Sequence, residues 1–397
     1  LARRARIHSR DIQPLIAAPK GLFAAARVQR LDFPLTINTT NIDELGNRLH
    51  VGTTSDIPQV TVTLEAFDVS HNTFAYLTGY TPGTFPVSGA SITELKNIDV
   101  IGSIRENCGD TVASAIYVKR GIVTAMAASF GVQANSTVTY TVNSNSKKAF
   151  RQPVYYDSFT ASGTQSTFSL SQTPTYLTRT SGYVIDAYVT AGSCTTNYLT
   201  EGTDFTVNGT TVTLSGITVA TGDSFWFTYT NPASSTFQAL DTAAPAAIQG
   251  KYVPVSISVN SIPRVQSATI NASFGSEQIL EMGGLGKPVG YEINVPDVTG
   301  DISVLKTDND LLAILEGVSN TTVENDIEYA LTSLPLKVQL KDPSNPARVV
   351  LTYYVPSITV TAQGDASTVN TSIAETFSWK STTGELFVAS GAGPAGW

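Results

Sequence analysis

Very few side chains here have the type and spacing that chemistry needs. His8, His50 and His71 are the only histidines, and none stands at metal-ligand spacing from another histidine, a cysteine or a carboxylate pair. They read as surface or interface residues. The run Gly283-Gly284-Leu285-Gly286-Lys287 has the texture of a loop whose backbone N–H groups cradle a phosphate. It fails in detail, because Pro288 follows the lysine where Ser or Thr is required and Glu281 occupies the place of the first glycine. No Gly-x-Ser-x-Gly elbow offers a nucleophile. Asp308 and Asp310 are explained by the start of a helix, whose dipole favours carboxylates. Cys108 and Cys194 lack CxxC spacing and read as free thiols or as partners in a disulfide within or between chains. Asn-x-Ser/Thr triplets at Asn38, Asn135, Asn208, Asn271, Asn320 and Asn370 follow from a composition rich in those residues. The expectation is a protein that is not an enzyme, with no catalytic, cofactor-binding or metal-binding set.

Composition narrows the class. The 397 residues have room for two or three domains, only 14% are charged, and Thr, Ser, Val and Gly are plentiful, which is a β-rich, weakly charged makeup. No apolar run approaches the ~20 residues of a membrane helix. The net charge of −8 argues against a dedicated nucleic-acid binder, which needs a basic excess. Charge is uneven, however. Leu1 to Arg30 holds Arg3, Arg4, Arg6, Arg10, Lys20, Arg27 and Arg30 against the single acid Asp11. Arg-rich, acid-poor segments can be targeting peptides; an arm lying on a neighbouring subunit is the reading preferred here. Ile12-Gln13 is echoed by Ile248-Gln249, so the arm belongs to a larger pattern.

That pattern is a duplication. Arg27-Val28-Gln29 recurs as Arg264-Val265-Gln266, about 237 residues on (264 − 27). Ile42, Glu44, Leu45 and Gly46 face Ile279, Glu281, Met282 and Gly283. Pro58-Gln59-Val60-Thr61 then faces Pro296-Asp297-Val298-Thr299, and Ala75, Leu77 and Gly79 face Ala313, Leu315 and Gly317. Tyr117-Val118 faces Tyr354-Val355. A colinear series of this kind marks one module used twice, and two equivalent surfaces suit ring building better than a single pocket.

Each copy reads as antiparallel sheet. Val60, Val62 and Leu64 alternate with Thr61, Thr63 and Glu65, and Leu336, Val338 and Leu340 alternate with Lys337, Gln339 and Lys341. Ile116 to Phe130 and Val349 to Gln363 are too long for one ordinary strand, with Pro356 marking a bend or a junction. One short helix fits each copy: Asn72 to Leu77, capped by Ser70 and stopped by Gly79, and Asn309 to Leu315, capped by Asp308 and stopped by Gly317. Between the copies, Tyr155 to Pro232 is rich in Ser, Thr and Tyr and reads as a small β-sandwich, with Asn208-Gly209 as a hairpin turn. The Ala- and Pro-containing linker from Ala233 to Ala247 suits an exposed boundary, so the insert is expected to face outward and to be dispensable. The expected fold is all-β with one short helix per repeat. Residues 1–154 form the first sandwich or barrel module with its basic arm, 155–232 the inserted sandwich, and 233–397 the linker and second module.

Ile262-Pro263-Arg264-Val265-Gln266, the alternating strand to Phe274, the polar loop Glu281 to Pro296, a strand and the helix Asp308 to Gly317 resemble the tail tube protein of tailed bacteriophages. The first repeat resembles it through its likeness to the second, and the insert resembles the immunoglobulin-like decorations of some phage tails. The resemblance implies modules that assemble as rings of six around a lumen and stack into a tube that conducts DNA. A duplicated chain would meet six-fold geometry with three copies. It also implies a virion protein assembled in the host cytoplasm, with other tail proteins as partners, DNA passing without specific binding, and no membrane insertion. Loops Glu44 to Ile57 and Glu281 to Pro296 are long and polar, which is uncommon without a function. With the arm they supply candidate ring-stacking residues: Arg3, Arg4, Arg6, Glu44, Gly46, Glu281 and Gly283. Two other readings stand beside the tube. One is a tail hub or tip ring of the same fold. The other is a secreted carbohydrate-binding sandwich using Tyr176, Tyr183, Tyr188, Tyr198 and Trp226.

Overall fold

The computed structural model describes residues 11–18, 21–43, 50–105, 111–191, 195–233, 235–238, 240, 245–258, 260–280, 288–305, 310–316, 333–366 and 373–397. Strands take up 59% of the chain and, among the described residues, there are only two short α-helices, so the fold is all-β. The first repeat contributes β1 (Ile12–Ala18), β2 (Gly21–Ala24), β3 (Val28–Asp32), β4 (Leu35–Thr36), β5 (Thr39–Ile42), β6 (Gly52–Ser55), β7 (Gln59–Phe67), α1 (Asn72–Leu77), β8 (Ala90–Ser91), β9 (Ile98–Arg105), β10 (Thr111–Gly131), β11 (Thr137–Ser144) and β12 (Lys147–Phe150). The insert holds β13 (Val154–Thr160), β14 (Thr167–Ser169), β15 (Val184–Ala191), β16 (Thr195–Tyr198), β17 (Phe205–Asn208), β18 (Thr211–Leu214) and β19 (Ser224–Thr230). After β20 (Ser235–Thr236), the second repeat runs through β21 (Val255–Ile257), β22 (Asn260–Ser261), β23 (Val265–Ser273), β24 (Ser276–Leu280), β25 (Pro288–Ile293), β26 (Asp297–Leu305), α2 (Asp310–Glu316), β27 (Leu334–Asp342), β28 (Asn345–Ala366), β29 (Ala374–Ser381) and β30 (Phe387–Ser390).

The same pairings recur in both repeats. β1 pairs β2 and β9 as β21 pairs β22 and β27; β10 pairs β9, β11 and β12 as β28 pairs β27, β29 and β30; β3 pairs β7 as β23 pairs β26. The irregularities recur as well. A bulge at Gln29 between β3 and β7 matches one at Gln266 between β23 and β26, and a bulge at Thr124 matches one at Thr361. Arg27 and Arg264 both have φ 57°, unusual for a residue with a Cβ. Each holds that geometry by offering its carbonyl twice. Gln29 and Gln266 donate to it from their side-chain amides at 3.0 and 3.1 Å, and the N–H groups of Phe67 and Leu305 donate at 3.1 and 3.2 Å.

The chain divides into two compact units. One comprises Leu1–Ala25, Ile98–Gly121 and Ser144–Leu240; the other comprises Ala26–Asn97, Ile122–Asn143 and Asp241–Trp397. The first unit contains the sheet β2-β1-β9-β10-β12 and the insert. Within the insert, β13-β19-β15-β16 forms one sheet and β14-β18-β17 another. Phe168, Phe205, Val212 and Leu214 from the smaller sheet pack against Phe225, Phe227 and Tyr229 of the larger, which makes a sandwich with an aromatic core. The second unit carries an eight-stranded sheet in the order β3 with β4, β7, β11, β10, β23, β26, β29, β28. Val60, Val62, Leu64, Met126, Ala128, Ala268, Ile270, Val298 and Ile302 bury one face of it, as period-two alternation requires.

Several local expectations need correction. Ile12–Ala18 is not an arm over a neighbour: it is a largely buried strand paired with β9 of its own chain. The counterpart of β1 is Val255–Ile257, so the echo of Ile12-Gln13 in Ile248-Gln249 is not the structural match. Each long stretch is one strand, of 21 and 22 residues, and Pro356 lies at a register shift inside β28 rather than at a junction, where its missing N–H does least harm. Helix α1 has the expected bounds, but its N-cap is His71, not Ser70, and no side chain caps it. Gly79 does end it, at φ 83°, with its own N–H bonded to Tyr76 O and that of Tyr80 to Ala75 O. Helix α2 is Asp310–Glu316; Asp308 and Gly317 lie outside the described residues. The insert's hairpin turns on Gly209 and Thr210, one residue beyond Asn208-Gly209, because Asn208 pairs with Thr211. Within the loops expected over Glu44 to Ile57 and Glu281 to Pro296, Gly52–Ser55 and Pro288–Ile293 are strands, paired with β5 and β24, while residues 44–49 and 281–287 lie outside the described residues.

Candidate functional surface

Alternation gives the eight-stranded sheet a second face, rich in hydroxyls and also carrying Ala125, Ala127 and Glu65. Thr61 and Thr63 from β7, Thr137, Thr139 and Thr141 from β11, and Ser129 from β10 lie on it, with Ser267, Thr269 and Asn271 from β23, Thr299 and Ser303 from β26 and Thr376 and Ser378 from β29. Register confirms the shared face, since Ser129 stands opposite Thr269, Asn271 opposite Thr299 and Asp301 opposite Ser378. Among the described residues of its strands, the cations Arg30 and Lys380 each stand beside a carboxylate. Arg30 pairs with Asp32, and Lys380 Nζ lies 3.0 Å from Asp297 Oδ1. Asp301 accepts from Ser378 Oγ at 2.6 Å. Phosphate binding depends on Lys and Arg free to replace counterions. A hydroxyl-lined face with paired cations offers a polyanion few free charges.

The two repeats meet inside this sheet. β10 pairs with β23 over seven residue pairs, from Ala125 opposite Ser273 to Gly131 opposite Ser267. Phe274 N–H extends the ladder to Thr124 O at 2.9 Å.

Each unit also holds a buried carboxylate bound by a tyrosine. In the second unit Tyr353 OH donates to Asp68 Oδ2 at 2.7 Å, and burial pushes the Asp68 carboxyl up from 3.8 to about 7 against the lowering effect of that bond. In the first unit Tyr117 OH donates to Asp99, whose other oxygen accepts from Arg120 N–H at 2.7 Å. Burial first, then the Asp186 charge, raise the Asp99 carboxyl. Arg120 has φ 52° and forks onto Asp186 with Nε at 3.0 Å and Nη2 at 2.7 Å, while its guanidinium lies 3.5 Å from the Tyr198 ring centre. Lys119 Nζ adds a contact to Asp186 at 3.0 Å. With Ile185 and Val154 packed on Leu15, Ile101, Ala115 and Tyr117, these contacts tie the insert to the sheet of its own unit. The insert is thus more than a decoration on a bare linker.

The seven candidate stacking residues, Arg3, Arg4, Arg6, Glu44, Gly46, Glu281 and Gly283, lie outside the described residues, as do His8, Cys108, Cys194 and the run Gly283 to Lys287. His50 bonds to Asp43, and His71 packs on Phe85 with ring centres 5.0 Å apart. Among the described residues no three His, Cys, Asp or Glu side chains are grouped to hold a metal ion. The five insert aromatics do not form one platform. Tyr176 and Tyr183 are exposed and in edge contact, whereas Tyr188 and Trp226 are stacked and buried. Among the described residues no helix is long and apolar enough to cross a membrane.

Two features escaped sequence reading although a signal for them was present. Val123-Thr124-Ala125 and Val360-Thr361-Ala362 are identical triplets at the repeat spacing, and they mark the two bulges. The hydroxyl-lined face shows only as threonines and serines on the polar side of alternating strands. Comparison with protein-family models and with curated proteins gave no match.

Proposed function

We propose that this chain is a structural virion protein of a tailed bacteriophage, whose stacked rings build the tail tube through which DNA is delivered. Three copies contribute six equivalent modules to each ring, and other tail proteins bind the tube at its ends. The observation that carries the reading is the eight-stranded sheet. It joins the two repeats edge to edge and presents a face of hydroxyls and paired charges. A conduit should neither bind nor trap a polyanion, and the net charge of −8 suits that role. Joining modules edge to edge also disposes of exposed strand edges, a liability for any open sheet. The test is negative-stain imaging of the purified chain. Annular particles or hollow tubes are expected, and a monodisperse monomer at high protein concentration would refute the proposal.

A further inference from the structure

The larger sheet of the insert buries both of its faces, and the two differ. Along β19, Phe225, Phe227 and Tyr229 belong to the sandwich core, so Trp226, Thr228 and Thr230 lie on the opposite face. That face is seated on the sheet of the same unit. Thr228 stands between Tyr156 of β13 and Asp186 of β15; Tyr156 Oη donates to Ala18 O at 2.9 Å, and Asp186 holds Arg120 and Lys119. Trp226, Thr228 and Thr230 are 3%, 0% and 1% exposed, yet among the described residues Trp226 Nε1 and the hydroxyls of Thr228 and Thr230 have no hydrogen-bond partner. Each such group opposes closing, because water would satisfy it in an open seat. Asp99 is buried in the same seat. Tyr117, Lys119 and Arg120 face it from β10, Asp186 and Tyr188 from β15 and Tyr156 from β13. Arg120 joins the two sides, donating to Asp99 from its backbone N–H and to Asp186 from its guanidinium. The chain enters and leaves the insert at adjacent points, since Val154 stands opposite Thr230, with Pro153 and Pro232 just outside. A partly polar contact between parts of one chain, entered through such a neck, allows relative motion.

We propose that this seat is a latch: the insert swings on the neck at Pro153 and Pro232 without unfolding, uncovers Trp226, Thr228 and Thr230, and does so more readily as pH rises. Asp99 sets the direction. Burial, then the Asp186 charge, raise its carboxyl in the closed seat, whereas water restores the ordinary carboxylate range. The closed seat therefore holds a proton that the open one gives up. Closing is favoured in acid and loses ground as pH climbs through the raised pKa, when a second carboxylate ionises beside Asp186. Lys119 and Arg120 offset the two acids, so the latch loosens rather than fails. The surface that emerges is aromatic and hydroxyl-bearing, with Trp226 stacked on Tyr188 at 4.9 Å between ring centres. The latch belongs to one chain and works alike in a monomer or in a ring.

Thiol labelling of the full chain under native conditions, with Cys108 and Cys194 replaced by Ser, is the test. Thr228→Cys places a thiol in the seat, and Val212→Cys places one in the sandwich core, where Val212 is fully buried. The ratio of the two labelling rates cancels the pH dependence of thiol ionisation. The Thr228→Cys thiol should label many-fold faster than the Val212→Cys thiol at pH 8. The ratio should fall several-fold by pH 6, a single proton allowing at most about tenfold per pH unit. Thr230→Cys, a second probe of the same face, should give the same ratio and the same trend. Asp99→Asn, which can still accept from Arg120 N–H and donate to Tyr117, should flatten the pH response. Arg120→Ala should raise the ratio at both pH values. Equal rates for the seat and core thiols at both pH values would overturn the latch, since the seat would then open only with unfolding. A ratio that does not change with pH, or one that changes as much in Asp99→Asn, would overturn the control by Asp99.

Discussion

At the scale of single residues, the chain stores its sensitivity to pH in buried carboxylates. Asp68 is 2% exposed and its pKa rises from 3.8 to about 7 through burial. Between those values the folded state binds more protons than the unfolded one, so stability must fall as pH rises from about 4 to 7 and then level off. Asp99 is pushed the same way. The expected outcome is a melting temperature lower at pH 8 than at pH 5. Asp68→Asn, which keeps an acceptor for Tyr353, should raise the pH 8 value and shrink the difference without abolishing it. An unchanged slope would show that Asp68 is ionised in the fold at little cost. Arg120 carries the opposite kind of burden. Asp186 is 1% exposed at its side chain and depends on the Arg120 fork and on Lys119. Breaking a buried pair from one side costs about 3–5 kcal/mol, so Arg120→Ala should lower the unfolding free energy measured by urea denaturation by an amount near the bottom of that range, with Lys119 left in place. Arg120→Lys should rescue little, because an ammonium supplies neither the fork nor the planar stack on Tyr198.

At the scale of elements, the two repeats keep pairings and bulges while exchanging core volume. Gly300 lies under the Trp379 ring, and a Cβ there would come 2.0 Å from Thr269 O and 2.5 Å from the indole. The equivalent positions in the first repeat are Val62 and Val142, both buried. Overpacking a filled core costs about 1–3 kcal/mol, and Gly300→Ala should show such a loss in chemical denaturation. A neutral result would mean that the strands there can move apart. The alternation of β7 and β27, the bounds of α1 and the duplication were all legible in the sequence, because each is written in local period or in recurring residues. Strand lengths were not. β10 and β28 run past twenty residues because different partners hold their two halves, and that information lies in β9, β23, β27 and β29 rather than in the strands themselves. The Ser70 cap and the Asn208-Gly209 turn each missed by one residue: His71 takes the N-cap position without any side-chain bond to the helix, and cross-strand pairing of Asn208 with Thr211 moves the turn to Gly209 and Thr210. The polar face was hidden for another reason: hydroxyls on the open side of a sheet carry no motif.

At the scale of the whole molecule, equivalence between the repeats is the property that matters most. Stacking of rings is expected to draw on Glu44 and Glu281 with the basic cluster Arg3, Arg4 and Arg6 of the adjoining ring. Exposed ion pairs are worth ~0–1 kcal/mol each, so only repetition around the ring makes them matter. Glu44→Lys with Glu281→Lys should leave rings intact and stop elongation, as high salt should do in part; tubes of normal length from that variant would place stacking elsewhere. The most direct measurement of the central claim is the rotational symmetry of end-on particles of the purified chain, averaged from electron micrographs. The expected result is a closed wall of six similar modules with three-fold true symmetry, the insert appearing three times per ring. A wall whose module count is not twice its chain count, or a chain that forms no closed wall at all, would contradict it.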